Sequence, residues 1–146
     1  MIALAACAGG PRPGVESVPG QGAITVQVIP NPIRATQVSG AMYDFPFEVI
    51  VRETGGRPVN VTRVSASVKG FGGMTLANEM YDAERLRALG FSTSVAANGE
   101  LRYRFAPRRE VPDERLFNGV SVQLTVDAVD DGGSPTSAST MVTVTR

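Results

Sequence analysis

From Gly119 to Gly133 the chain alternates. Val120, Val122, Leu124, Val126 and Ala128 fall on one face, and Ser121, Gln123, Thr125 and Asp127 on the other. A period of two predicts a half-buried strand. The run stops at Asp130-Asp131-Gly132-Gly133, and a second alternating run from Met141 to Arg146 ends the chain, so the pair predicts an antiparallel hairpin that closes a sandwich.

The same pattern recurs upstream. Ala23 to Ile29 predicts a strand with Ile24, Val26 and Val28 inward, ended by Pro30-Asn31-Pro32, where missing N–H donors make a kink or an edge crossover. Ala41 to Glu53 places Phe45, Phe47, Val49 and Val51 on one face and Glu48 and Arg52 on the other. The turn Thr54-Gly55-Gly56-Arg57-Pro58 leads into Val59 to Lys69, with Val64, Ala66 and Val68 inward, and a hairpin is the economical connection. Asn60-Val61-Thr62 matches a glycosylation acceptor, but inside a strand the match is accidental.

Beyond the Gly70-Phe71-Gly72-Gly73 break, Met74 to Leu76 reads as a short strand. Asp82 to Leu89 reads as a two-turn helix with Asp82 as N-cap and Gly90 just past its end, turning Leu86 and Leu89 toward the sandwich. Phe91 to Val95 is a further strand. After the Ala97-Asn98-Gly99 turn, Leu101, Tyr103 and Phe105 alternate with Arg102 and Arg104, and Pro107 to Asn118 reads as a charged loop. The predicted fold is all-β, an antiparallel sandwich of about seven strands with one short inserted helix.

Composition narrows the chemistry. The 146 residues suit one domain, with residues 1–22 as a flexible tether and 23–146 as the sandwich. Lys+Arg and Asp+Glu are equal at 14 each, so no field directs the chain to nucleic acid. Histidine is absent and Cys7 is the only cysteine, which excludes intrachain disulfides, His-based zinc sites, Ser-His-Asp triads and Cys-His dyads. Lys69 is the only lysine. With no phosphate-binding glycine loop, and a core that side chains are expected to fill, the chain reads as non-catalytic.

Leu4-Ala5-Ala6-Cys7 resembles the lipobox of bacterial lipoprotein signal peptides, in which the cysteine becomes the lipidated first residue. The resemblance implies lipidation at Cys7, a membrane as partner through the lipid, and an extracytoplasmic location. Ala8, being non-acidic, resembles the residue that sends such proteins to an outer membrane. Residues 8–22, rich in Gly and Pro, suit a tether. No charged segment precedes the lipobox and Met1 to Ala6 is shorter than a signal-peptide core, so the expected start lies further upstream. The C-terminal run, Val120 to Val129, the acidic turn and Ser139 to Thr145, resembles the end of bacterial immunoglobulin-like and polycystic-kidney-disease-type repeats, although the immunoglobulin cysteine pair and tryptophan are missing. Such domains serve as spacers, adhesive modules or glycan binders.

Two clusters are candidate sites. Asp127, Asp130 and Asp131 offer the hard oxygens that calcium prefers, while an Asp-Gly turn needs the same residues for backbone reasons. Arg102, Arg104, Arg108 and Arg109 offer a patch for an anionic glycan or acidic protein, with Glu100, Glu110, Asp113 and Glu114 interspersed. The expected function is a lipid-anchored binding or structural module. The alternatives are a subunit that docks by edge-strand pairing and a calcium-dependent adhesion domain.

Overall fold

The computed structural model describes residues 20–146. Leu4-Ala5-Ala6-Cys7 lies outside the described residues. The described chain forms an immunoglobulin-like antiparallel β-sandwich with one α-helix. Its front sheet is β1 (Ile24–Ile29), β5 (Phe47–Glu53) and β9 (Glu100–Phe105), in that order. The back sheet runs β2 (Ile33–Arg34), β12 (Pro135–Thr145), β11 (Ser121–Asp130), β6 (Val59–Lys69) and β7 (Thr75–Asp82), with β8 (Ser94–Val95) also on β6.

A small third sheet, β10 (Arg108–Glu110), β4 (Met42–Asp44) and β3 (Thr36–Ser39), extends the front sheet. Phe47 lies opposite Phe105 and Asp44 opposite Arg108 in one unbroken register. Between them Phe45 N–H still donates to Pro107 O at 2.9 Å. Pro46 and Pro107 supply no donor, and there the ladder thins into two sheets. Part of the expected charged loop is therefore strand β10, followed by a 3-10 turn at Glu114–Phe117 that packs Phe117 edge-on against Tyr43.

The Pro30–Pro32 kink moves the chain between layers. Before it β1 pairs with β5, and after it β2 lies parallel to β12 with Ile33 opposite Val144. Strand β11 is the centre of the back sheet, held by β12 on one side and β6 on the other. Its even-numbered residues from Val122 to Asp130 are all buried, as the alternation requires. A bulge sets Asp127 opposite Arg63 but Ala128 opposite Val61, so Thr62 is extra and Val61 and Val64, three apart, both point inward.

Three local expectations change. Strands β5 and β6 are not a hairpin: β5 already has β1 and β9 as neighbours, and Thr54–Pro58 arches from the front sheet to the back. The strand expected at Met74–Leu76 runs on to Asp82, because β6 provides an edge for residues whose own pattern is ambiguous. Of Phe91 to Val95, only Ser94 and Val95 are strand.

The helix α1 (Ala83–Ala88) loops out between β7 and β8, which both run along β6. Asp82 caps it, accepting from Arg85 N–H at 2.8 Å. Leu86 is fully buried, but Leu89 is 55% exposed: it is the C-cap, and Gly90 at φ 90° turns the chain away before a second apolar position reaches the core. No helix among the described residues is long and apolar enough to cross a membrane.

Candidate functional site: an apolar cleft at the open end of the sandwich

The two ends of the sandwich are built differently. At the end where β1, β6 and β12 begin, two buried carboxylates gather backbone amides. Glu53 accepts from the N–H groups of Ala23 (3.0 Å), Gly55 (2.6 Å), Gly56 (2.8 Å), Arg57 (3.1 Å) and Asn98 (2.8 Å). Burial pushes the Glu53 carboxyl up, and the amides of Asn98, Ala23, Gly55 and Gly56 outweigh it, leaving it below the usual glutamate value. Asp130 accepts from Gly22, Gly132 and Ser134 N–H at 2.9–3.0 Å, and those bonds, Gly22's first, hold its carboxyl low. Residues Gly22 and Ala23 are thus clamped between a front-sheet and a back-sheet carboxylate.

This disposes the three aspartates of the acidic turn separately. Asp127 faces out of the back sheet and pairs with Arg63 at 3.1 Å, Asp131 pairs with Arg57, and both Asp130 oxygens hold backbone amides. Among the described residues no group of three or more His, Cys, Asp or Glu is placed to hold a metal ion.

The arginines also separate. On the outer face of the front sheet, Arg102 lies between Glu48 (3.1 Å) and Glu100 (2.6 Å), and Arg104, 85% exposed, reaches Glu48 at 3.2 Å. Arg52 adds a contact to Glu100 at 3.0 Å, so acid and base alternate across the strands. Ile50, which shares this outer face with Glu48 and Arg52, is nevertheless only 3% exposed. Exposed pairs of this kind add little to stability, because water screens them. Arg108 is bidentate to Asp44 across the β4–β10 ladder. Arg109, next along the strand, projects to the opposite side and pairs with Glu79 of β7.

That last pair spans the mouth of a cleft between the sheets at the other end. The space is about 140 Å³. Phe45, Phe47 and Phe105 form its front wall, and Ala66, Val68 and Val122 stand on its back wall. Among the described residues, Glu79 and Arg109 are its only charged lining. It exists because the back wall carries short side chains: Ala66 lies between Leu124 of β11 and Glu79 of β7, where a larger residue would meet the front sheet. The expectation that side chains fill the core thus fails at this end.

Tyr81 and Phe105, at 5.2 Å between centroids, close the cleft toward the middle of the sandwich. Arg85, from the first turns of α1, stacks over Tyr81 at 4.2 Å and donates to Met80 O at 2.8 Å. Its guanidinium also lies 4.0 Å from Glu79. Neither Glu79 nor Arg85 stands out in the sequence. The only available signal was the alternation Ala77, Glu79, Tyr81, which the exposed Leu76 and Met80 on the opposite phase mask.

No protein-family model matches the chain, and no curated protein matches it. Among solved structures it is similar to the structural-genomics target SoR45, with a TM-score of 0.58 and 11% identity over 88% of this chain and 90% of that one. It is also similar to a Bordetella pertussis protein assigned as ApaA, at 0.51 and 12% over 88% and 98%. The CARDB domain of PF1109 from Pyrococcus furiosus aligns at 0.42 and 16%, over 86% and 96%. For the first two, at these identities, the likeness is one of fold.

Proposed function

We propose that the protein is a non-catalytic binding module that works outside the cytoplasm, held to a membrane through lipidated Cys7. One observation carries the binding role: an apolar cleft kept open between the two sheets. Interiors normally leave few voids larger than a water molecule, and concave apolar spaces with few, placed polar groups are where small ligands bind. The lipobox resemblance of Leu4-Ala5-Ala6-Cys7 supports the anchor. The geometry suits it: Gly20, whose carbonyl accepts from Arg57 at 2.9 Å, enters at the clamped end. A tether attached there leaves the cleft at the far end of β1 and free to face solution.

Two measurements test the two halves. Titration of the ¹⁵N-labelled protein with 1-octanol should shift amides of β6, β7 and β11 that line the cleft; shifts scattered over the surface, or none, overturn the binding role. Expression with the upstream region, followed by membrane fractionation and intact mass, should return a membrane-bound chain that starts at Cys7 and carries lipid. A soluble, unmodified chain that retains Met1 overturns the anchor.

A second reading rests on β7. It is the outer strand of the back sheet, with Leu76 and Met80 on it and Met74 just before it between 47% and 63% exposed, and such an edge suits addition of a partner strand. Sedimentation that shows a dimer broken by Leu76→Lys would favour it.

A further inference from the structure

We infer that the cleft takes a medium-chain carboxylate, an alkyl or arylalkyl acid whose apolar chain fills the space and whose carboxylate displaces Glu79 from Arg109. This deepens the binding role proposed above and rests on it. Three observations set the ligand class.

Size sets the chain. A cavity of about 150 Å³ lined by apolar side chains accommodates a benzene-sized molecule, so the space here suits roughly six to eight carbons. The aromatic front wall of Phe45, Phe47 and Phe105 accepts either a ring or a chain.

Charge sets the head. Glu79 is shared: one carboxylate oxygen meets Arg109, and the other lies 4.0 Å from Arg85. Two guanidinium groups against one carboxylate leave an excess positive charge at the mouth, which favours an anionic head over a neutral or cationic one. Asp82, the other carboxylate of β7, falls on the opposite phase of the strand from Glu79 and accepts from Arg85 N–H at the start of α1. The pair is also accessible, with Arg109 and Glu79 side chains 48% and 34% exposed.

Exchange sets the mechanism of entry. A ligand carboxylate replaces Glu79 in kind on the planar fork of Arg109, where two parallel N–H···O bonds are available. Glu79 then turns to Arg85, already beside it and braced by Tyr81 and Met80 O. With the ligand seated each of the two guanidinium groups has a carboxylate of its own; without it they share Glu79.

The test is an NMR titration of the full chain with octanoate, 1-octanol and octylammonium, read at the amides of β6, β7 and β10. Octanoate should bind about tenfold more tightly than octanol, the scale of one charge-assisted contact, and octylammonium more weakly than both. Arg109→Gln should bring octanoate down to the level at which the same variant binds octanol, with a dispersed amide spectrum reporting that the variant is folded. Glu79→Gln should raise octanoate affinity by freeing Arg109. Equal binding of octanoate and octanol, or unchanged octanoate binding in Arg109→Gln, overturns recognition of the carboxylate and leaves the cleft as a site for neutral apolar ligands. If neither compound shifts the cleft amides, the inference and the binding role both fall.

Discussion

The clamped end and the open end of this sandwich solve the same problem, how to finish two stacked sheets, in opposite ways. At the clamped end the apolar positions are sealed: Ile24, Val51, Val59, Val61 and Val95 are all 0–2% exposed. Backbone groups there are satisfied by Glu53 and Asp130, so turns from both sheets are tied to each other. At the open end Phe45, Phe47, Ala66, Val68 and Val120 are only partly buried, and the exposed Arg109–Glu79 pair bridges the rim. Stability and accessibility are therefore divided along the strand axis. Hydrogen bonds to buried carboxylates hold one end rigidly, while the other gives up packing and gains space.

Substitution of Glu53 should break this contrast most strongly. Glu53→Ala leaves five backbone N–H groups without their acceptor. At about 1–3 kcal/mol for each buried donor left unmet, and allowing for those that water reaches, a loss of at least about 3 kcal/mol is expected in urea denaturation. Arg109→Gln, which breaks the rim pair at the open end, should cost less than about 1 kcal/mol in the same assay.

Acid should act on the same end. The folded-state values of Glu53 and Asp130 lie below the unfolded ones of 4.5 and 3.8. Such groups contribute fully above the unfolded values, and their contribution is lost as pH falls through the lower folded values. Stability should therefore be level from neutral pH down to about 5 and decline below it. Glu53→Ala should flatten that decline, as followed by urea midpoints across the range.

Filling experiments sharpen the contrast in packing. Ala138, fully buried in β12, has no room, and Ala138→Leu should cost about 1–3 kcal/mol by overpacking. Ala66→Leu enters the cleft instead and should change stability by less than about 0.5 kcal/mol while abolishing octanol binding. Comparable costs at both positions would mean that the open end is as tightly packed as the clamped one.

Smaller effects are expected from Tyr103 and from calcium. Tyr103 is fully buried between Phe91 and Phe105, and its hydroxyl meets no hydrogen-bond partner among the described residues. Tyr103→Phe should raise stability by up to about 1 kcal/mol, measured by the urea midpoint. Millimolar calcium should leave the melting temperature unchanged, since Asp127, Asp130 and Asp131 are each engaged by different partners. A rise of several degrees would instead favour the metal reading of the turn.

What the chain alone determined about this protein is the part that depends on neighbours along it. Alternation is a local property of a strand, so β1, β6 and the β11–β12 hairpin are legible in the order of Val, Thr and Ser, and the helix is legible in Asp82 at its cap. The period is silent about partners. Whether β5 turns back on β6 or arches to the other sheet was decided by the hydrogen-bonding edges that β1, β9 and β11 had already taken. Glu53 carries no mark in the sequence, because its five amide donors come from three separate segments that only the closed end brings together. The cleft is further still from the sequence. Ala66 and Phe105 are ordinary inward residues of their own strands, and the space between them follows from how far apart two whole sheets are held by contacts elsewhere.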